Sequence, residues 1–250
     1  MAINVNTVYT TVLSILNKEQ RGYITPEEFN KLGTQVQLEI FENYFEDLNQ
    51  QLRVPQADSE YANRQKNIDN CISIFKTIGN TTYNTAGGYF LPPSDLHRIG
   101  TVIYKDEKEL QRVERNDFLN INLSPLTKPT TQFPVYLYEQ VVQGTGGANT
   151  GETHIFVKPT TIVTAADITV SYIRKPADVL WGYQQLGGGT WSSGPYIYNA
   201  GASTQFELDD TEQTEVILRI LAYAGVVIRD PQIVQAASQA VQSEEVNSKS

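Results

Sequence analysis

Helical periodicity at both ends of this 250-residue chain, separated by a long stretch of period two, is the strongest constraint on its fold. Apolar residues spaced by three and four mark a helix face, whereas strict alternation marks a half-buried strand. The clearest local signal is Thr25-Pro26-Glu27-Glu28, with Thr at the N-cap, Pro at the first helical position and Glu three residues after the cap. Hydroxyl and carboxylate then satisfy backbone N–H groups reciprocally, and Ile24 and Phe29 occupy the flanking staple positions. From Phe29, the series Leu32, Val36, Ile40, Tyr44, Leu48 and Leu52 predicts about seven turns of helix ending before Pro55. An earlier helix is capped by Asn4 or Asn6, shows Val8, Val12, Ile15 and Leu16 on one side, and stops at Arg21-Gly22. A third is expected over 58–78, with Tyr61, Ile68, Cys71, Ile72, Phe75 and Ile78 inward.

From 81 to 208 the composition shifts to Gly, Pro, Thr and aromatics. Strands are predicted at 88–91, 99–105, 109–113, 134–140, 154–158, 167–174, 179–183 and 204–207, with one short helical turn at 115–120. Helix then returns. Asp209 and Asp210 cap a stripe of Val216, Ile217, Ile220, Leu221, Ala224 and Val227, and Asp230-Pro231 stops it and starts another with Ile233, Val234, Ala237 and Val241. The terminal helices have no sheet of their own to cover, so they are expected to pack on the N-terminal ones. The fold class read from this order is α+β: a helical bundle made of N- and C-terminal helices, with an inserted antiparallel β-sandwich or small barrel. The boundaries are 1–80 for the N-terminal helical part, 81–208 for the inserted β domain, 209–241 for the completing helices and 242–250 for a flexible tail.

Composition narrows the chemistry. With 19 Lys+Arg against 28 Asp+Glu the formal net charge is −9, a poor balance for gripping phosphates. Cys71 is the one cysteine, and His97 and His154 are the two histidines, so disulfides, thiolate metal sites and most His-based catalysis lack parts. No catalytic, metal or cofactor-binding residue is assigned, and no cofactor is expected. The apolar run 222–228 is too short to span a bilayer, and the polar N-terminus lacks the basic start of a signal peptide.

The motifs that invite a chemical reading mostly fail on context. Gly146 to Thr153 has the Gly-x4-Gly spacing and closing Thr of a phosphate loop, but Glu152 stands where Lys is required and a strand follows, so a hairpin loop is expected. His97 lies near Asp95 and Asp106 in a Pro-Pro-Ser-Asp turn, with no nucleophile in a supporting context. His154 reads as a surface or sheet-end residue, and Cys71 as a small hydrophobe on a core face. Asn80-Thr81-Thr82 and Asn122-Leu123-Ser124 match the glycosylation sequon but carry no weight without a secretory signal.

Two features remain. Glu39, Glu42 and Glu46 share a helix face, with Asp47 beside them, which by default is a solvated face and lacks the Gly-centred spacing of a calcium loop. The stretch 179–198 sets Trp181, Tyr183, Trp191, Tyr196 and Tyr198 among Gly187–Gly189 and Ser192-Ser193-Gly194. Aromatics in a loop of this composition are expected either as protein–protein anchors or as a lid on their own sheet.

The segments "GGYFLPPSDLHRIGTVIY", "PVYLYEQ", "THIFVKPTT", "DITVSYIRKPADVLWGY" and "FELDDTEQTEVILRILAYAGVVIRDPQIVQAA", in this order after a helical start, resemble the head-to-tail adaptor or tail-tube ring (connector) proteins of short-tailed bacteriophages, and are similar in particular to ring structural proteins of crAss-like phages. The resemblance spans roughly residues 1–240 and rests on layout and local phrasing, with no catalytic signature. It implies a non-enzymatic virion protein at the head–tail junction or tail, made in the host cytoplasm. It implies a homo-oligomeric ring of twelve copies that contacts the portal protein and other tail or ring proteins. DNA would pass through its channel during genome ejection without specific binding, and no membrane is involved. On that view Trp181, Tyr183, Trp191, Tyr196, Tyr198, Ile233 and Val234 are interface candidates. Glu39, Glu42, Glu46 and Asp47 are channel-lining candidates, because an acidic lumen repels phosphates. The competing reading is a ligand- or carbohydrate-binding β domain on a helical stalk, a receptor-binding module in which Trp181 and Trp191 would stack on sugar. A hydrolase would need an acid/base pair that the sequence does not offer.

Overall fold

The computed structural model describes residues 2–18, 23–53, 59–105, 107–140, 153–185, 196–227, 235, 238–243 and 246. It is a mixed α and β structure with several separate sheets. The chain divides into two compact units, Met1–Ile74 together with Pro176–Ser250, and Phe75–Lys175. The β region expected at 81–208 is therefore bounded differently at both ends. The stretch from Pro176 to 208 belongs with the helices, and the six residues before 81 belong with the strands.

The first unit opens with β1 (Ala2–Ile3), α1 (Val5–Lys18), α2 (Pro26–Arg53) and α3 (Ser59–Ser73). Asn4 caps α1, its Oδ1 accepting the N–H groups of Asn6 at 2.9 Å and Thr7 at 3.1 Å. At α2 the capping box forms as expected. The Thr25 N–H donates to Glu28 Oε2 at 2.9 Å, the Glu28 N–H donates to Thr25 Oγ1 at 3.3 Å, and Ile24 and Phe29 are buried beside it. The backbone N–H of Thr25 holds the Glu28 carboxyl below its ordinary pKa.

α2 is buried on more than the one expected stripe. Phe29, Val36, Ile40, Phe41, Tyr44 and Phe45 are all in the core, and so is Gln37. α3 ends at Ser73, short of 78, so Ile78 is on a strand and 67% exposed, while Ile72 and Phe75 are buried. The pattern misleads here because Phe75 and Ile78 continue a three-residue spacing into a segment that pairs with a strand far along the chain.

The chain returns to this unit at Pro176 and contributes β11 (Tyr183–Gln185), β12 (Tyr196–Tyr198), β13 (Phe206–Asp209) and α5 (Gln213–Val227), after the elements β2 to β10 and α4 of the second unit described below. β11 pairs with β12 and β13 with β1. α5 lies against α1 and α2, burying Val216, Ile220, Leu221 and Ala224. The strand expected at 179–183 is instead an extended segment with a single bridge, Leu180 to Thr204. Most of its other backbone partners are side chains of α2, while the Gly182 N–H donates to Ser203 Oγ at 3.0 Å and the Ala177 N–H to Glu207 Oε2 at 3.0 Å. The Asn30 Oδ1 accepts the Trp181 N–H at 2.6 Å, and Thr34 Oγ1 accepts the Val179 N–H at 3.0 Å. Gln37 Nε2 donates to the Ala177 carbonyl at 2.7 Å while its Oε1 accepts the Glu207 N–H at 2.8 Å. Positions 30, 34 and 37 are one turn apart, so the row follows the extended chain along the helix. Gly182 lets this chain pass close to its neighbour. A Cβ there would lie 2.6 Å from the Ala202 carbonyl carbon, closer than real Cβ contacts come.

The second unit contains β2 (Lys76–Asn80), β3 (Thr82–Asn84), β4 (Tyr89–Leu91), β5 (Leu96–Tyr104), β6 (Lys108–Glu109), β7 (Gln111–Arg112), α4 (Arg115–Asn120), β8 (Val135–Glu139), β9 (His154–Lys158) and β10 (Ile168–Arg174). They form a four-stranded sheet ordered β2-β10-β5-β6 and a five-stranded sheet ordered β3-β4-β9-β8-β7. Val102, Tyr104, Ile168, Val170 and Tyr172 from the first and Phe90, Tyr136, Ile155 and Val157 from the second meet in one core. Among the described residues both strand orders are open. The β7–β8 pair is parallel, which departs from the expected all-antiparallel arrangement.

Gln37 is 1% exposed and bonded to two backbone segments at once. Its replacement by Ala removes both of these part-buried hydrogen bonds, each worth about 0.5–1.5 kcal/mol, together with the buried side chain that makes them. Urea unfolding is expected to show Gln37→Ala destabilised by about 1–3 kcal/mol, with the exposed control Gln35→Ala within about 0.5 kcal/mol of wild type.

Candidate functional site

The aromatic residues singled out from the sequence split into two groups. Trp191 and the glycine run before it lie outside the described residues, as do Ile233 and Val234. Trp181, by contrast, is 4% exposed and sits at the centre of the first unit. Its Nε1–H donates to Asn6 Oδ1 at 3.0 Å, and its ring packs on Tyr9 with centroids 4.4 Å apart, stacks with Tyr183 at 6.0 Å, and meets Tyr198 at 5.7 Å. Tyr9 continues the contact to Phe29 at 4.9 Å. As an interface candidate Trp181 is therefore corrected to a core residue, which also removes it as a sugar-stacking platform. The Gly- and Ser-rich neighbourhood pointed to the surface, but the side chain finds an apolar slot and a polar partner on α1, which is what a buried indole requires. Tyr183, Tyr196 and Tyr198 are half-buried on the hairpin β11–β12, each presenting part of its ring.

The acidic face of α2 is also partly consumed within the unit. Glu39 accepts a short hydrogen bond from the Tyr223 hydroxyl, a 3.0 Å bond from Gln35 Nε2 and an ion pair from Arg219 at 3.8 Å. Arg219 is nearly buried and also donates to Glu215 Oε1 through Nε at 2.7 Å and Nη2 at 2.5 Å. Glu39 thus ties α2 to α5 while its side chain stays 27% exposed. Glu42 and Asp47 are half-buried, and Glu46 is exposed.

Glu212 extends this network. Burial first, and then the charge and hydrogen bond of Glu215, push its carboxyl up to about 7, with Asp209 adding to the effect and the Tyr44 hydroxyl opposing it. Tyr44 is buried, and its hydroxyl turns toward this group without reaching normal hydrogen-bond geometry. Burial and the nearby carboxylates push that hydroxyl well above its ordinary value. Burial likewise raises the Cys71 thiol, followed by the charges of Glu212 and Asp209, which makes it a poor nucleophile.

In the second unit His97 lies half-buried in β5 rather than in the turn before it. His154, expected as a surface or sheet-end residue, is the first residue of β9 and is buried there, its ring 4.0 Å from that of Tyr89 and its Nδ1 without a hydrogen-bond partner. The Gly146–Glu152 loop lies outside the described residues, while Thr153 donates from Oγ1 to the Tyr138 hydroxyl at 2.7 Å. A shallow depression of about 580 Å3 is lined by Arg112, Glu114, Arg115, Leu137, Tyr138 and Glu139. Arg115 is paired with Glu139, and the Arg112 guanidinium lies over the Tyr138 ring at 5.7 Å, so its cations are engaged within the protein. Among the described residues no group of three or more His, Cys, Asp or Glu could hold a metal ion, and no helix is long and apolar enough to cross a membrane.

No family model matches the chain, and no curated protein matches it either.

A carboxyl whose pKa is higher in the folded chain takes up a proton on folding. The stability Glu212 contributes is therefore full below its unfolded value of 4.5 and is lost as pH rises through about 7. Thermal unfolding from about pH 5 to about pH 8.5 is expected to show the wild-type midpoint falling relative to that of Glu212→Gln, which stays neutral throughout. Parallel profiles for the two proteins would contradict this assignment.

Proposed function

We propose that this chain is a non-enzymatic structural protein of a phage virion, a ring subunit that joins the capsid portal to the tail and surrounds the path of the DNA. The observation that carries the reading is the placement of the chain ends. α5 packs on α1 and α2, and the β unit leaves and re-enters between Ile74 and Pro176. A helical bundle closed by both ends of the chain, with an inserted two-sheet sandwich, is the layout that the adaptor resemblance implies. In such a design the helical unit can form a wall while the inserted unit reaches a neighbouring layer. The partners on this reading are further copies of the same chain in a twelve-membered ring, the portal, and other tail or ring proteins. Tyr183, Tyr196 and Tyr198 remain interface candidates, since aromatic side chains bury large area at low entropic cost.

The acidic balance supports the same reading. A channel that conducts DNA must not hold phosphates, and carboxylates repel them. With Glu39 engaged to α5, the channel-facing role falls to Glu46, with Glu42 and Asp47 beside it.

Two experiments test the proposal. Native mass spectrometry and electron microscopy of the purified chain with its portal are expected to give closed rings of twelve. A chain that stays monomeric and never docks on the portal would overturn the reading. Virions carrying Glu42→Gln and Glu46→Gln are expected to assemble normally and eject DNA more slowly. Unchanged ejection kinetics would remove the channel role from these residues.

A further inference from the structure

The segment that follows α4 was given no role by its sequence pattern, yet it is the most unusual surface of the second unit. Leu119, Leu123, Leu126 and Phe133 are 61, 82, 97 and 77% exposed. Four large apolar side chains displayed within fifteen residues are not an ordinary surface, because isolated exposed apolar residues are common but grouped ones mark contact sites.

The segment is also held in shape. α4 contains no buried residue, so core packing does not order it. Local hydrogen bonds do. The Ile121 N–H donates to Asp117 at 2.8 Å and the Leu123 N–H to Asn120 at 3.0 Å. The Lys128 N–H donates to Ser124 at 3.0 Å and the Phe133 N–H to Thr130 at 3.1 Å. Side chains lock the same turns, Asn122 Nδ2 donating to Phe118 at 2.8 Å and Thr127 Oγ1 to Ile121 at 3.1 Å. A loop whose conformation is set before contact loses little entropy on binding, which is the main cost of using a loop as an anchor. Lys158 over the Phe118 ring at 5.3 Å fixes the base of the segment on β9.

Charge decides what such a finger fits. Between Phe118 and Pro134 the only formal charge is Lys128, which is exposed. The unit that carries it is balanced, with 10 Lys+Arg against 9 Asp+Glu over residues 75–175. The remainder of the chain has 9 against 19, so the whole acidic excess of the protein belongs to the helical unit. That unit also shows exposed apolar side chains, among them Ile15, Tyr23, Leu180 and Ile197. Two fingers meeting face to face would oppose Lys128 to Lys128. A finger meeting the acidic unit would place its cation among carboxylates and its leucines on apolar residues.

We propose that the finger 119–133 is an assembly anchor that docks on the acidic helical unit of a second copy of this chain. The contact joins two different surfaces of identical subunits and is therefore heterologous, the type that propagates around a ring and closes it. The inference rests on the ring reading given above and names the surface that makes the ring.

Sedimentation velocity of the full chain over a concentration series, with Leu126→Asp, the double variant Leu123→Asp/Phe133→Asp, and Lys128→Glu, tests it. Wild type is expected to associate. Each apolar-to-Asp variant weakens association at least about 30-fold, the range of a buried anchor. Lys128→Glu weakens it less, and added salt narrows its difference from wild type. Thermal unfolding midpoints stay at the wild-type value because these side chains are outside the core, which separates loss of contact from loss of fold. A photo-crosslinking residue at 126 is expected to label peptides from 1–74 or 176–250 of the neighbouring copy. Labelling of 75–175, unchanged association of the variants, or a wild-type chain that stays monomeric at every concentration would each overturn the proposal. Rings that form on the portal with the variants as readily as with wild type would remove the finger and leave the ring reading standing. Failure of wild type to dock on the portal would remove the ring reading itself.

Discussion

The contact on which the first unit depends is between a helix and an extended chain. Residues 177–181 have backbone groups that must be satisfied. A sheet would normally do this, but here the one bridge is Leu180 to Thr204. Asn30, Thr34 and Gln37 supply most of the rest from one face of α2, and the Glu207 carboxylate accepts the Ala177 N–H. Because Gln37 also binds Glu207 on β13, the same row sets where β13 pairs with β1 and where α5 begins. Trp181 then enters the slot between α1 and the β11–β12 hairpin, and its indole N–H closes on Asn6. The return path, the sheet of the two chain ends and the last long helix are fixed together.

Electrostatics follows from the same geometry. Arg219 on α5 bridges Glu39 of α2 and Glu215 of its own helix, and Glu212 sits beside that pair with its carboxyl poised near neutrality. Part of the acidic character of this chain is therefore structural, spent on holding α5 to α2. The part left for a partner or a passing polyanion is the exposed remainder, of which Glu46 is the member on the α2 face.

Features set by neighbours in the sequence were legible. The Thr25–Glu28 box, the Asn4 cap, the turn at Arg115–Asn120 and the strand His154–Lys158 appear where local pattern places them. The caps and the turn depend on contacts within a few residues, and the strand on its own alternation. The misreadings share the opposite cause. Ile78 continued a helical spacing but belongs to β2, whose conformation is set by pairing with β10 about ninety residues later. Trp181, read as an anchor or a lid, and His154, read as a surface or sheet-end residue, are both buried against rings that the sequence keeps far away. The exposed finger carried no periodic signal, and the exposure of its leucines is set by packing.

By itself the sequence determined the class and order of the long helices and of most strands, the caps of the first two helices and the shortage of metal-binding and nucleophilic side chains, because these follow from local sterics, periodicity and composition. Only the tertiary structure decided the assignment of 176–208 to the helical unit, the diversion of Glu39 into an internal ion pair, and the contrast between a buried Trp181 and an exposed Leu126. Burial depends on which distant surfaces meet, and no local spacing encodes that choice. The acidic charge belongs to both levels: its size is set by composition, and the number of carboxylates left exposed is set by packing.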